Sequence, residues 1–148
     1  MLILPLEISG ETYAMMIDNI KEIIPVVEFI ELPSTPEYIK GMINYRGRVC
    51  PVIDLSILLK NIPSKIFLST RIIMIDSGNE NCSFGLLAQQ ITETVFIKSD
   101  SFEDIPTAMQ MSGYIDKTMI MNGQIIPILN PKKIYLEKIT IFHDDNTI

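Results

Sequence analysis

The residues able to do covalent chemistry are few and poorly spaced for it. His143 is the only histidine and stands in a polar terminal stretch before Asp144-Asp145, so neither a histidine-based triad nor a histidine-rich metal site can be assembled. The adjacent carboxylates Glu103-Asp104 and Asp144-Asp145 read as solvated loop charge. The chain has no G-x-G-x-x-G, Walker loop or paired C-x-x-C and only seven glycines, so nothing in the pattern cradles a nucleotide. Cys50 and Cys82 lie in strand-like apolar stretches, where a buried thiol is a better reading than a bridge and favours a reducing compartment. The expectation is a non-enzyme with no catalytic residue, no cofactor and no metal.

The chemistry of recognition is better represented. Arg46 stands in a turn between two apolar strands, directly before Gly47. There a planar guanidinium can grip a partner's carboxylates or carbonyls with two teeth, as a lysine could not; the competing role is an intramolecular contact that holds the turn. Asn44 reads as turn or bulge chemistry, and Gly41 and Gly47 as backbone geometry. Val49 begins the next apolar run. Met109, Met111, Met119 and Met121 read as core filling.

Those residues must be positioned by short elements. Leu2 to Ile8 and Thr12 to Ile17 read as strands about Ser9-Gly10. Asp18 is placed to cap a short helix presenting Ile20, Ile23 and Ile24 on one face, stopped by Pro25. Val26 to Leu32 looks extended, and a helical turn is expected from Pro36 to Gly41. Met42 to Tyr45 and Arg48 to Ile53 flank the Arg46-Gly47 turn, after which Asp54 caps a helix carrying Leu55, Leu58 and Leu59. Asn61 to Thr70 connects two halves, with Ile66, Phe67 and Leu68 expected to pack. Then come a strand from Arg71 to Asp76, a turn at Gly78 to Asn81, a strand from Cys82 to Ala88 and an apolar-periodic stretch from Gln89 to Val95. Asn122-Gly123 is the strongest hairpin signal.

The sequence repeats itself. Glu11-Thr-Tyr-Ala-Met-Met-Ile-Asp-Asn-Ile-Lys-Glu22 matches Cys82-Ser-Phe-Gly-Leu-Leu-Ala-Gln-Gln-Ile-Thr-Glu93 at a constant offset of 71. Gly47-Arg-Val-Cys-Pro-Val-Ile-Asp54 matches Gly123-Gln-Ile-Ile-Pro-Ile-Leu-Asn130. Duplicated short strands with few helices argue for a mainly β chain built as two small barrels, because closure removes exposed sheet edges. The repeats run roughly 1–62 and 66–142 within a single 148-residue domain.

Length and charge narrow the partners. A chain of 148 residues fits one domain or two very small subdomains sharing a core. A formal charge of −6 and the lack of a basic run disfavour nucleic acid. No apolar run approaches the roughly 18 residues of a membrane span, and the opening Met1 to Glu7 has no basic flank, so direct membrane insertion is not expected. The expected location is the cytoplasm.

The segment Pro36-Glu-Tyr-Ile-Lys-Gly-Met-Ile-Asn-Tyr-Arg-Gly-Arg-Val-Cys-Pro-Val-Ile-Asp-Leu55 resembles the CheW-like family pattern of Gly-Val-x-Asn-x-Arg-Gly, a strand with Pro, then Asp-Leu. Tyr13 and Ile20-Lys-Glu-Ile23 fit as well, and the resemblance extends from about Leu2 to about Tyr135. Three positions depart from it: Tyr45 where Leu is usual, Ser56 where Arg is common, and Ala88-Gln89 where Val-Asp is usual. The resemblance implies two five-stranded SH3-like or OB-like barrels, with terminal strands open to exchange between halves. It also implies a non-catalytic scaffold that joins a chemoreceptor's cytoplasmic tip to the CheW-like regulatory domain of a CheA-type histidine kinase. It places Ile20 and Glu22 near the receptor-binding groove, although Ile20, Ile23 and Ile24 could equally be core. The rival reading is an OB-type barrel that binds a ligand or nucleic acid; the absence of Trp and the negative charge count against it.

Overall fold

The computed structural model describes residues 1–76, 83–105 and 113–139. They form twelve strands, two short helices and isolated helical turns, in agreement with a mainly β chain. Strands β1 (Leu2–Ile8) and β2 (Glu11–Met16) make an antiparallel hairpin. Its two-residue turn has Ser9 and Gly10 both at positive φ, 46° and 82°, the mirror-image turn whose twist suits strands.

A single 3-10 turn at Ile17–Asn19 follows, and then β3 (Ile20–Pro25). The helix expected after Asp18 is therefore a strand. Ile20, Ile23 and Ile24 are β-branched, and β6 (Arg71–Asp76) offers them a ladder: Ile23 pairs with Ile73 and Ile24 with Ile72. An irregularity in register between Ile20 and Glu22 disguises the twofold period that would have announced it.

The helical turn expected over Pro36 to Gly41 is a single tight turn, with the Ile39 amide donating to the Pro36 carbonyl at 3.0 Å. From Ile39 onward the chain is β4 (Ile39–Tyr45), which pairs with β5 (Arg48–Asp54). Gly41 lies inside β4, where an added Cβ would sit 3.0 Å from the Phe29 Cβ and 3.1 Å from the Ile30 carbonyl oxygen. The extended run before it contributes one bridge, Ile30 to Met42.

Asp54 caps α1 (Leu55–Lys60) as anticipated, accepting from the Ser56 amide. The connection after α1 is not held by its apolar residues. Leu68 is 99% exposed, and Ile66 and Phe67 are also exposed. Polar bonds fix the segment instead: Ser64 donates through its amide and hydroxyl to Asp54 at 2.9 and 2.6 Å, and Phe67 N–H donates to Thr70 Oγ1 at 2.8 Å.

The second half continues with β6, β7 (Ser83–Ala88), β8 (Gln90–Ile91), β9 (Val95–Phe96), β10 (Phe102–Asp104), β11 (Ile115–Met121), β12 (Gln124–Leu129) and α2 (Pro131–Ile134). Within Gln89 to Val95, Gln90, Ile91 and Val95 belong to two short strands laid against β1, and residues 92–94 between them are irregular. The expected turn at Gly78 to Asn81, Cys82, Met109, Met111 and His143 lie outside the described residues.

The strands form a seven-stranded sheet in the order β10-β11-β12-β2-β1, with β8 and β9 both on β1, and a five-stranded sheet in the order β3-β6-β7-β5-β4. Each sheet mixes the two halves. The first hairpin, β1-β2, joins β8, β9, β11 and β12; the equivalent hairpin, β6-β7, joins β3, β4 and β5. The parallel pairs join early and late parts of the chain: Val52 faces Gly85 and Ile53 faces Leu86, while Ile128 faces Ala14 and Leu129 faces Met15. Equivalent residues also make equivalent bonds, Asp54 N–H to the Tyr38 carbonyl at 2.8 Å and Asn130 N–H to the Tyr114 carbonyl at 2.7 Å.

Among the described residues, three apolar cores result. Ile43, Tyr45, Cys50, Val52, Ile72, Met74 and Leu87 fill one lined by the five-stranded sheet, and Ile3, Ala14, Met119, Ile126 and Ile128 fill one lined by the seven-stranded sheet. The largest lies between them, with Leu4, Leu6, Tyr13, Met15, Ile53, Ile73, Ile75, Phe84 and Leu86 supplied by both. Neighbouring residues of β6 therefore point to different cores, Ile72 and Met74 one way and Ile73 and Ile75 the other. Burial on both faces explains why the strand reads as an unbroken apolar run.

Candidate functional site

The β4-β5 turn is built from Tyr45-Arg46-Gly47-Arg48, with Arg46 at φ 51° and Gly47 at φ 80°. Asn44 Oδ1 accepts from the Gly47 N–H at 3.0 Å, so Asn44 braces the turn, and Gly47 occupies a conformation that glycine tolerates without strain. Across the hairpin Asn44 pairs with Val49, which is exposed.

From this turn Arg46 reaches Glu22 on β3, its Nη2 donating to Oε2 at 3.0 Å. Tyr45 donates its hydroxyl to the same oxygen. The guanidinium carbon lies 5.3 Å from the centre of the Tyr45 ring, and Lys21 Nζ lies 5.7 Å from it. β3 and β4 are the two edges of the five-stranded sheet, so Glu22, Tyr45 and Arg46 bridge edges that the order of pairing places farthest apart. The sheet curls until its edges meet. The alternative role considered for Arg46, an intramolecular contact, is present here with a carboxylate as acceptor.

Electrostatically the cluster holds two cations and one carboxylate. Arg46 remains 67% exposed and Glu22 37%, so the guanidinium is presented outward while one nitrogen is paired. Burial, followed by the bond to the Glu22 carboxylate, pushes the Tyr45 phenol above its ordinary range, which keeps the hydroxyl a donor.

Glu22, Asn44, Arg46, Gly47 and Val49 therefore gather at one end of the five-stranded sheet. Gly41 does not join them; its role is close passage beneath Phe29-Ile30. Ile20 is half-buried against the large shared core and pairs with Ile75. Ile75 in turn lines a cleft of about 240 Å³ together with Asn19, Asp76, Phe84, Pro131, Lys132, Tyr135 and Leu136. Lys21 and Tyr45 were not picked out from the sequence as site residues. Tyr45 carried a signal: it falls two positions after the buried Ile43, hence inward, and a buried tyrosine hydroxyl needs an acceptor.

Among the described residues, no group of three or more His, Cys, Asp or Glu side chains is placed to hold a metal ion, and no helix is long and apolar enough to cross a membrane.

Residues 3–138 match the family model described as CheW-like domain. The chain is 27% identical over 128 residues to the chemotaxis protein CheW of Helicobacter pylori, covering 86% of this chain and 76% of that one. It is 31% identical over 104 residues to the chemotaxis protein CheW of Bacillus subtilis, covering 70% and 65%. Among solved structures it is similar to the scaffolding protein TtCheW of Thermoanaerobacter tengcongensis, with a TM-score of 0.77, 25% identity, and 87% and 83% of the two chains covered.

Proposed function

The chain belongs to the CheW-like domain family and is a chemotaxis coupling adaptor, and on that premise we propose that it couples by holding a CheA-type kinase regulatory domain and a chemoreceptor tip side by side in the cytoplasm, without catalytic turnover. The observation that carries this reading is the outward guanidinium of Arg46, seated on a braced turn and paired through only one nitrogen in its contact with Glu22. Such a group contributes affinity when a partner desolvates it, and its planarity fixes orientation. Glu22, Asn44, Gly47 and Val49 complete that contact surface. Ile20 pairs with Ile75 and follows Asn19, both of which line the cleft, and this adjacency supports a receptor groove there; Gly41 shapes β4 where it passes Phe29-Ile30. The same reading takes the chain as one unit of two repeats, roughly 1–62 and 66–142. The OB-type alternative is not favoured, given the family match and the charge of −6.

The test is calorimetry with the full chain against two probes: the purified regulatory domain of a CheA-type kinase from the same genome, and a cytoplasmic receptor fragment. Micromolar binding of both, weakened by Arg46→Ala, is expected. Loss of neither affinity in Arg46→Ala, or measurable hydrolase or transferase turnover removed by a point substitution, overturns the proposal.

A further inference from the structure

The Glu22 carboxylate receives two donors on one oxygen. Arginine and a carboxylate frequently form a parallel pair that uses two nitrogens and two oxygens. Here the Arg46 contact is a single bond from Nη2 to Oε2, and the Tyr45 hydroxyl arrives at that same Oε2. The tyrosine is the rigid member of the cluster. Its ring is buried among Ile43, Cys50, Val52, Ile72 and Met74, whereas Arg46 and Glu22 project toward water.

Taking Arg46 as the partner contact, we propose that Tyr45 is the positioning residue for it: the phenol fixes Glu22 so that the carboxylate cannot close a two-toothed grip on Arg46, which leaves the guanidinium presented to a partner's carboxylate. The ring gives the guanidinium a seat at 5.3 Å and brings Lys21 to 5.7 Å, so two cations face the partner against one carboxylate. That excess of positive charge selects an acidic group. A phenol is protonated throughout the neutral range, and burial raises this one further, so the donor stays in place there. A leucine at position 45 would supply neither hydroxyl nor ring.

The experiment measures affinity for the CheA-type regulatory domain, melting temperature, and the NMR signals of the Arg46 guanidinium in the unbound chain. The variants are Arg46→Ala, Tyr45→Phe, Glu22→Gln and the double variant Tyr45→Phe/Glu22→Gln. Tyr45→Phe keeps the ring and removes the hydroxyl, so Glu22 closes on Arg46. Affinity should fall roughly tenfold, the scale of one charge-assisted hydrogen bond, and guanidinium rotation should slow. The double variant should recover the affinity of Glu22→Gln alone, because no carboxylate remains to capture Arg46. A purely packing role predicts that binding falls in step with melting temperature and that the two substitutions add; either result overturns the proposal, as does unchanged guanidinium rotation in Tyr45→Phe. If Arg46→Ala itself leaves binding intact, the reading of Arg46 fails first. If Arg46→Ala weakens binding while Tyr45→Phe matches the wild type, the role of Tyr45 alone is refuted.

Discussion

Replacing Arg46 by asparagine separates the stability of the turn from the recognition it carries. At φ 51° an L side chain is in the left-handed region, at about 1–2 kcal/mol, and asparagine relieves much of that strain. The matching turn of the second repeat already has Asn122 there, at φ 52°. Against this relief stands the loss of the Glu22 pair, about 0.5 kcal/mol for side chains 67% and 37% exposed, and of the contact with the Tyr45 ring, about 0.5 kcal/mol. Arg46→Asn should therefore melt close to the wild type. Arg46→Ala loses the same contacts and keeps the strain, so it should be less stable than Arg46→Asn by about 1 kcal/mol, or roughly 3 °C for a chain of this size. Both variants lack the guanidinium and should bind the kinase regulatory domain about thirtyfold more weakly, near 2 kcal/mol. Arg46→Lys should regain part of that if planarity matters and nearly all if charge alone does. Thermal melts and calorimetry on the four proteins decide it. Equal melting of the Ala and Asn variants would refute the strain argument, and wild-type affinity in Arg46→Asn would show that the partner reads backbone rather than guanidinium.

Asp54 is fully buried and accepts from the Ser56 amide and from both donors of Ser64, so Asp54→Ala should lose about 3 kcal/mol in urea unfolding, against about 1 kcal/mol for the Asn130→Ala cap. Gly85→Ala would bring a Cβ to 2.6 Å from Ile72 Cγ2 and 3.1 Å from Val52 Cγ2; overpacking by a β-branched neighbour should destabilise by about 2 kcal/mol, and an unchanged unfolding midpoint would show that β6 yields. Tyr13, pushed up to about 12 by burial and by its bond to Glu11, should contribute stability in full below the unfolded value of 10 and lose it as pH climbs toward 12. Tyr13→Phe should flatten the alkaline fall in melting temperature without abolishing it, since Tyr38 and Tyr45 are shifted in the same direction.

What could be read from the sequence was local. Among the described residues, the pairs Ser9-Gly10, Arg46-Gly47 and Asn122-Gly123 marked the three two-residue hairpins, because turn conformation is decided by the residues in the turn. Asp54 announced its cap for the same reason, and Asn130, its match in the second repeat, caps α2 in the same way. The failures were of longer range. β3 looked helical because a break in register altered its period, and its strand character depends on β6, about fifty residues later in the chain. Ile66, Phe67 and Leu68 were expected to pack, but the bonds from Ser64 to Asp54 fix the segment where no apolar surface covers Leu68. The repeat was visible as an offset, yet an offset says that two segments share a shape and not which copy each pairs with. The meeting of Glu22 with Tyr45 and Arg46 follows from the curl of a whole sheet, which no window of sequence contains.

The duplication provides an internal comparison for the site. Positions 76 apart, Arg46 and Asn122, begin turns of nearly identical backbone, at φ 51° and 52°. The hairpin they close is therefore formed without an arginine, and folding alone does not require one. The flanking pair differs too: Asn44 faces Val49, whereas Ile120 faces Ile125, exposed at 67% and 71%. The edge contact is likewise confined to one copy, since the counterparts of Glu22 and Tyr45 are Glu93, which is exposed, and Met121. Where the contact exists, β3 runs unbroken from Ile20 to Pro25; where it is missing, the corresponding run is split into β8 and β9. One repeat thus spends conformational strain at Arg46 and gathers Lys21, Glu22 and Tyr45 around it, while its twin meets the same backbone requirement with Asn-Gly. A residue that the fold can replace by a less strained one, and that draws three neighbours into a partly exposed polar cluster, is explained by what it presents outward.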